Sequence, residues 1–486
     1  MTNKVEIRRL TTGVPGMDSL LGGGLAEYSF NLIAGAPGSG KTTLAHQMMF
    51  ALATKERPAL FFTILGEPTL KMLRYQQQYD FFDVSKVGEC IHFVNLAEEA
   101  MTGDFDKVFQ RIVNEVALRL PSFVVVDSFR SVVQPGASTL GADLQFFIQR
   151  LGMQLATWQT TSFLIGEYLT LDTEANPIFT VADGILWMTQ NISSNTMVRK
   201  IEVVKMRGHA TTPGLHTFKI SADGIRIFPR VIPLPTGPDE GGKEISAVST
   251  RRLSMGIPRL DEMMGGGLPP GYSLLVSGPS GCGKSQMAVA FLAAGAEIGE
   301  HGVIAAFEKT PRRAHQSRLD KLVTDGRVSV LDTRTLDLSI DEILYGLTNL
   351  IEKTGATRVV IDSLSGFELS LGPTFREDFR ESLYRMVAVL TGMGVTVLMI
   401  SELEDRYTDL RFSPYGAAFL TDAIIVQRYV EIRGHIERVM AVVKVRNSAH
   451  SHQLRRFEIN DSGIVIGDAM TEIEGALTGH ASAQSS

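Results

Sequence analysis

Hydrophobic positions fall along the chain in two alternating patterns. Short apolar runs rich in β-branched and aromatic side chains are separated by segments with helical spacing. SFNLIAG, ending at Gly35, is an apolar run that feeds a glycine-rich loop, and a helical pattern follows from Lys41 to Ala53. LFFTIL, FVVVD and SFLIG are further apolar runs, and GILWM, MVRKIEVVKM and LHTFKI predict later strands. Apolar strands buried on both faces and interleaved with helices predict an α/β fold, a mostly parallel sheet flanked by helices.

The pattern occurs twice. GVPGMDSLLGGGL at residues 13–25 recurs as GIPRLDEMMGGGL at 256–268. GAPGSGKTT, from Gly35, recurs at the same spacing as GPSGCGKSQ, from Gly278. VVVDS, ending at Ser128, recurs as VVIDS, ending at Ser363. VVKMRG, with Lys205 and Arg207, recurs as VVKVRN, with Lys444 and Arg446. Four matches in the same order predict a tandem duplication of one domain. Residues 232–246, IPLPTGPDEGGKEIS, are rich in Pro, Gly and charge and carry no hydrophobic period, as a linker does. The expected organisation is a first domain over 1–231, a linker over 232–246, a second domain over 247–467 and a flexible tail over 468–486.

Composition narrows the class. The 486 residues are 44% hydrophobic and 21% charged, which excludes a disordered, collagen-like or coiled-coil chain and leaves each half enough length for a core. The net charge of −6 argues against a surface built for nucleic acid, although a local basic loop is compatible with it. Two cysteines, Cys90 and Cys282, build neither a disulfide framework nor a multi-cysteine zinc site. The first residues lack the apolar core of a signal peptide, and no apolar run approaches the ~18 residues that span a bilayer. The expectation is a soluble cytoplasmic protein with no membrane contact.

The glycine-rich loops carry the chemistry. GxxxxGK[ST] spans Gly35 to Thr42 and again Gly278 to Ser285, each between an apolar strand and a helical pattern. Gly35, Gly38 and Gly40, with Gly278, Gly281 and Gly283, let successive backbone N–H groups point at phosphate oxygens. The helix that follows presents its positive end to the same anion. Lys41 and Lys284 are expected to reach the β- and γ-phosphates of a nucleotide, and Thr42 and Ser285 to give a hydroxyl to Mg²⁺, with Thr43 in the first helical turn. Asp127 and Asp362 end the VVVD and VVID strands, where a carboxylate can hold a Mg²⁺-bound water or merely cap the next turn. ATP and Mg²⁺ are the cofactors this pattern implies.

PGMDSLLGGGL and PRLDEMMGGGL, each followed by a phosphate loop, together with TDAIIVQRYVEIRG at 421–434, resemble the KaiC family of RecA-like ATPases. The resemblance covers nearly the whole chain. It implies two tandem RecA-like P-loop domains and an ATP-dependent homohexamer with nucleotides between subunits. In cyanobacteria the family member is the circadian clock ATPase and autokinase.

The family places an acidic pair at the end of the strand after the phosphate-loop helix, where a carboxylate orients or deprotonates water. In AAFEKTPRR, Glu308 fills the first position and Lys309 replaces the second. In FFTILGEPTL, Leu65 and Gly66 fill both positions and Glu67 lies one residue beyond, where it serves as the catalytic carboxylate only if the loop is remodelled and a first-turn helix glutamate is the slightly better reading. The resemblance therefore implies that the second domain hydrolyses ATP while the first binds it mainly to hold the ring. It also places Lys205 and Arg207, and Lys444 and Arg446, as cations facing the nucleotide of a neighbouring subunit, and His450 at a family nucleotide-site histidine. His209 is displaced from that position. The paired Ser and Thr phosphosites of the clock kinase fall on Ala418 and Phe419, which accept no phosphoryl group, leaving Ser413 and Thr421 as nearby hydroxyls. The chain ends soon after Ile466, so the extension that binds KaiA in the clock system is not expected, and KaiB-like or signalling proteins are the implied partners.

Other features read as structural. The basic run Lys309 to Arg318 reads as a solvated helix face, Cys282 as a loop filler and Cys90 as a strand-edge residue. Trp158 and Trp187 read as core, and Tyr75 and Tyr79 as packing residues. His450 and His452 are expected to share a strand face without a third metal ligand. The alternatives to a hexameric ATPase signalling to proteins are a RecA-like DNA-associated ATPase, an autokinase acting at non-standard Ser or Thr sites, and a nucleotide-gated scaffold.

Overall fold

The computed structural model describes residues 7–64, 69–101, 104–130, 138–168, 178–193, 196–230, 251–307, 316–332, 338–371, 379–403, 420–432, 434–461, 463–470, 473–474 and 482–483. The chain divides into two compact units, residues 1–230 and 231–486. The linker expected over 232–246 lies outside the described residues.

Among the described residues, the large sheet of the first unit has nine strands. Their order is Ile91–Asn95, Ala59–Thr63, Phe123–Arg130, Thr161–Glu167, Phe30–Gly35, Gly184–Ser193, Thr196–Met206, His216–Ser221 and Gly224–Phe228. Neighbours from Ile91–Asn95 through Gly184–Ser193 run parallel, and the last three strands add on antiparallel. Phe30–Gly35, which feeds the phosphate loop, lies at the centre. Alternation along the parallel strands sends Ile33, Phe61 and Val125 into one core and Leu32, Phe62 and Val126 into the other. Burial on both faces explains why these runs are apolar throughout rather than alternating.

The first core packs against the phosphate-loop helix, Lys41–Leu52, through Leu44, Met48 and Met49. The second core packs against Phe105–Arg119 and Ser138–Thr157. Phe105–Arg119 buries Val108, Phe109, Ile112 and Val116 on one stripe, and the Asp104 carboxylate caps it by accepting from the Lys107 N–H.

The second unit repeats this order. Its sheet runs Val328–Asp332, Gly302–Ala306, Arg358–Asp362, Thr396–Glu402, Ser273–Gly278, Ala423–Ile432, His435–Val445, Arg455–Asn460 and Gly463–Ala469. Lys284–Glu297 packs on one face, and Ile340–Thr354 and Phe379–Gly392 on the other. Two sheets of the same strand order, each between helices, are tandem RecA-like α/β domains. Toward the C-terminus, Ile473–Glu474 pairs with Ser482–Ala483.

Trp187 is buried in the core, and Trp158 packs partly buried against it. Cys90 is buried just before the edge strand Ile91–Asn95. Two expectations need correction. Tyr79 stacks on Phe81 at 5.2 Å, but Tyr75 is 56% exposed, because it lies on the outer side of the helix Thr69–Gln76 with the Lys71 ammonium over its ring. His450 and His452 lie beyond the end of His435–Val445 in irregular backbone, where their rings meet at 4.7 Å.

Candidate active site: two phosphate loops and their carboxylates

Each phosphate loop leaves the C-terminal end of its central strand and turns into a helix whose first residue is the lysine. Open α/β sheets bind ligands at this end. Gly40 and Gly283 cap the helices with φ 99° and 97°, a left-handed conformation that favours glycine. An added Cβ would come within 2.9 Å of Ile220 Cδ1 at Gly40 and within 2.6 Å of Ile459 Cδ1 at Gly283. The antiparallel strands thus press on both loops at the same place.

Both lysines are folded onto their loops. Lys41 Nζ donates to the Ala36 carbonyl at 2.7 Å, and Lys284 Nζ donates to the Pro279 and Gly278 carbonyls at 2.7 and 2.9 Å. Each lysine is only 6% exposed. Burial pushes the Lys41 ammonium below its usual range, against the pull of Glu167 and Asp127. Thr42 Oγ1 donates to Asp127 Oδ2 at 2.8 Å. A hydroxyl and a carboxylate brought this close are a donor set that fits Mg²⁺ alongside phosphate oxygens. In the second unit Ser285 follows Lys284 at the helix start, and Asp362 ends the strand equivalent to that of Asp127. Among the described residues, no group of three or more His, Cys, Asp or Glu is arranged to hold a metal by itself. Water and phosphate oxygens would complete the ligand set of a Mg²⁺ ion at either loop.

The structure does not bring the Lys-x-Arg pairs to their own loops. Arg207 Nη1 donates to Asp183 Oδ1 at 3.3 Å, while the Phe30 N–H donates to Asp183 Oδ2 at 3.0 Å. Arg446 Nη1 donates to Asp422 Oδ1 at 3.0 Å, while the Ser273 N–H donates to Asp422 Oδ2 at 3.0 Å. Phe30 and Ser273 begin the central strands, and the phosphate loops follow their far ends. A six-residue strand at about 3.3 Å per residue separates the two by about 17 Å, beyond the reach of an arginine side chain. Lys205 Nζ donates to the Phe179 and Thr180 carbonyls, and Lys444 Nζ to the Thr421 carbonyl. Burial, then the neighbouring arginine, lowers the pKa of both lysines. The two arginine side chains are more than half exposed, so each guanidinium is open to solvent on its outer side. His450 is half-buried, with Nδ1 3.4 Å from the Ser448 carbonyl.

Leu65, Gly66, Glu67, Glu308, Lys309, Ser413, Ala418 and Phe419 lie outside the described residues. Cys282 is fully buried, donates to Gln427 Oε1 at 3.1 Å and has a thiol pKa raised by burial, as suits a loop filler. Four carboxylates were missed by motif reading: Asp183 and Asp422, which hold the arginines, and Glu167 and Glu402, which end the strands beside the central ones. The signal was present in the repeat, since Glu167 and Glu402 are separated by the same interval as Asp127 and Asp362.

A sequence profile of the KaiC ATPase family matches residues 10–232 and again residues 253–471. The chain belongs to the KaiC family of ATPases. The circadian clock oscillator protein KaiC of Rippkaea orientalis is 26% identical over 97% of this chain and 91% of its own length. The KaiC of Picosynechococcus is 25% identical over 97% and 92%. The circadian clock oscillator protein KaiC 1 of Synechocystis is 26% identical over 97% and 92%. Both repeats of this family member carry the ATP-binding signature. Among the described residues, no helix is long and apolar enough to cross a membrane.

Proposed function

We propose that this KaiC-family ATPase works as a cytoplasmic homohexamer that hydrolyses ATP between subunits and whose nucleotide state is read by protein partners, KaiB-like or signalling proteins among them. The observation that carries this reading is the distance between each phosphate loop and the Lys-x-Arg pair of the same repeat, found twice. A chain cannot bring Arg207 or Arg446 to its own γ-phosphate, whereas a neighbour in a ring can.

In this reading the loop N–H groups, the helix N-terminus and Lys41 or Lys284 hold the β- and γ-phosphates. Thr42 with Asp127, and Ser285 with Asp362, would hold Mg²⁺. When bound, the ion would neutralise negative charge on the phosphates. Glu308 orients water in the second repeat and accepts its proton. Arg207 and Arg446, with Lys205 and Lys444, place positive charge beside the γ-phosphate of the adjacent subunit. His450 lines the nucleotide site of the second repeat.

Autophosphorylation at the usual paired sites is not part of the proposal, because Ala418 and Phe419 carry no hydroxyl. Thr421 is fully buried and its carbonyl accepts from Lys444, a poor setting for a phosphoryl acceptor. Phosphate release from purified protein tests the reading, with Glu308→Gln and Lys41→Ala beside it. With the first loop disabled by Lys41→Ala, Glu308→Gln should lose most of the remaining release, and near-unchanged release in that background would sink the assignment.

A further inference from the structure

Glu167 and Glu402 occupy the same place in the two repeats. Each ends the strand beside the central one and pairs in parallel register with the first glycine of the loop, Glu167 with Gly35 and Glu402 with Gly278. The next residue ties that strand end to the loop. The Tyr168 N–H donates to the Gly35 carbonyl at 3.2 Å, and the Leu403 N–H to the Gly278 carbonyl at 3.1 Å. Glu402 Oε1 lies 3.9 Å from Lys284 Nζ, and 42% of its side chain remains open to solvent. In the first repeat, Lys41 feels Glu167 more strongly than Asp127, whose carboxylate already accepts from Thr42.

Each loop therefore has two carboxylates with separate places. Asp127 faces the hydroxyl that would bind the metal. Glu402 lies beside the lysine expected to bind the β- and γ-phosphates, with part of its side chain open to solvent, and Glu167 holds the same register place beside the first loop. The first repeat has special need of such a group, since Leu65 and Gly66 stand where the second repeat has Glu308 and Lys309.

We propose that Glu167 and Glu402 are catalytic carboxylates at the γ-phosphate, with Glu167 the general base of the first repeat and Glu402 working beside Glu308 in the second. The inference rests on the ATPase reading above and replaces the expectation that the first repeat mainly binds. Water oxygen bonds to the γ-phosphorus while the bond from that phosphorus to the β,γ-bridging oxygen breaks. The electron pair of that bond leaves with ADP. The proton of the attacking water passes to the glutamate and then to solvent.

The test measures phosphate release and the affinity for a fluorescent ATP analogue in full-length chains with one loop disabled. In a Lys284→Ala background, Glu167→Gln should lower release about 100-fold, within the range for removing a general base. In a Lys41→Ala background, Glu402→Gln should lower it about tenfold, because Glu308 remains. Analogue affinity should be unchanged or tighter, since each substitution removes a negative charge near the phosphates. Release from Glu167→Gln within about threefold of its background would overturn the proposal, as would affinity falling in step with release, which marks a structural counter-ion. A Lys284→Ala chain that binds analogue and releases no phosphate would overturn it too. No release from the unmodified chain would instead overturn the ATPase reading itself.

Discussion

In the first repeat the phosphate-loop helix carries His46, fully buried, with its ring 4.4 Å from that of Phe61. In the second repeat the same helical position holds Val289, half-buried. At the start of the strand that carries Asp127, the Phe123 ring of the first repeat packs at a tilt against that of Phe163. Its counterpart, Arg358, is wholly buried and donates to Glu300 and to the carbonyls of Ser254 and Phe291. The two repeats nevertheless keep the same strand order, the same glycine caps, the same lysine folded on its loop and the same Asp–Arg clamp. Backbone positions that meet phosphate tolerate little change, because they depend on φ and on N–H direction. Side chains behind the sheet differ more freely between the repeats, because they meet packed neighbours and not the loop.

The two repeats should differ most at the acidic slot. With the first loop disabled by Lys41→Ala, Glu308→Gln should lower phosphate release by about 10²–10⁴-fold, the usual range for a general base. With the second loop disabled, Glu67→Gln should change release by less than about threefold, since its slot is one residue out of register. Equal losses would mean that the repeats use the same base.

Arg358→Ala should destabilise the second repeat by about 3 kcal/mol, because Glu300 keeps only the more exposed Arg251 as its partner. Urea denaturation followed by a probe in each repeat would show whether the loss stays in the second.

A pH ramp separates the repeats next. Burial lowers the His46 pKa from 6.5 to about 3. As pH falls below 6.5 the unfolded chain takes up this proton and the native chain does not, so stability is present above 6.5 and is lost toward 3. Between pH 7.5 and 5 the first repeat should lose about 2 kcal/mol from this group. His46→Val, which copies the second repeat, should remove that part of the slope in denaturation curves. A modest effect is expected at the clamp. Asp422→Asn should lower release about tenfold with analogue binding unchanged, because Arg446 remains but is held less firmly.

Much of this was legible in the sequence, for identifiable reasons. Strands buried on both faces read as apolar runs, so FVVVD and SFLIG announced themselves. Lys41, Thr42 and Asp127 were legible because loop chemistry constrains residue type and spacing together. The antiparallel direction of the last three strands was not, since their apolar pattern reads the same either way and the pairing of Ser193 with Thr196 and of Ser221 with Gly224 decides it. Glu167 and Glu402 looked like ordinary polar ends of strands, and only the strand order sets them beside the loop. The separation of Arg207 and Arg446 from their own loops likewise required knowing which end of the central strand each one meets.

One run tests that separation directly. Mass by light scattering and phosphate release are measured together, with and without ATP, on the unmodified chain and on Arg207→Ala and Arg446→Ala. A nucleotide site shared between neighbours predicts an ATP-dependent ring of about 320 kDa, six 53.1 kDa chains in closed symmetry, as the species that releases phosphate. Arg446→Ala should still bind ATP yet lose release by roughly 10³-fold, the scale of a lost arginine finger, and Arg207→Ala should do the same at the first loop. A monomer releasing phosphate at the full rate, unaffected by either substitution, would contradict it.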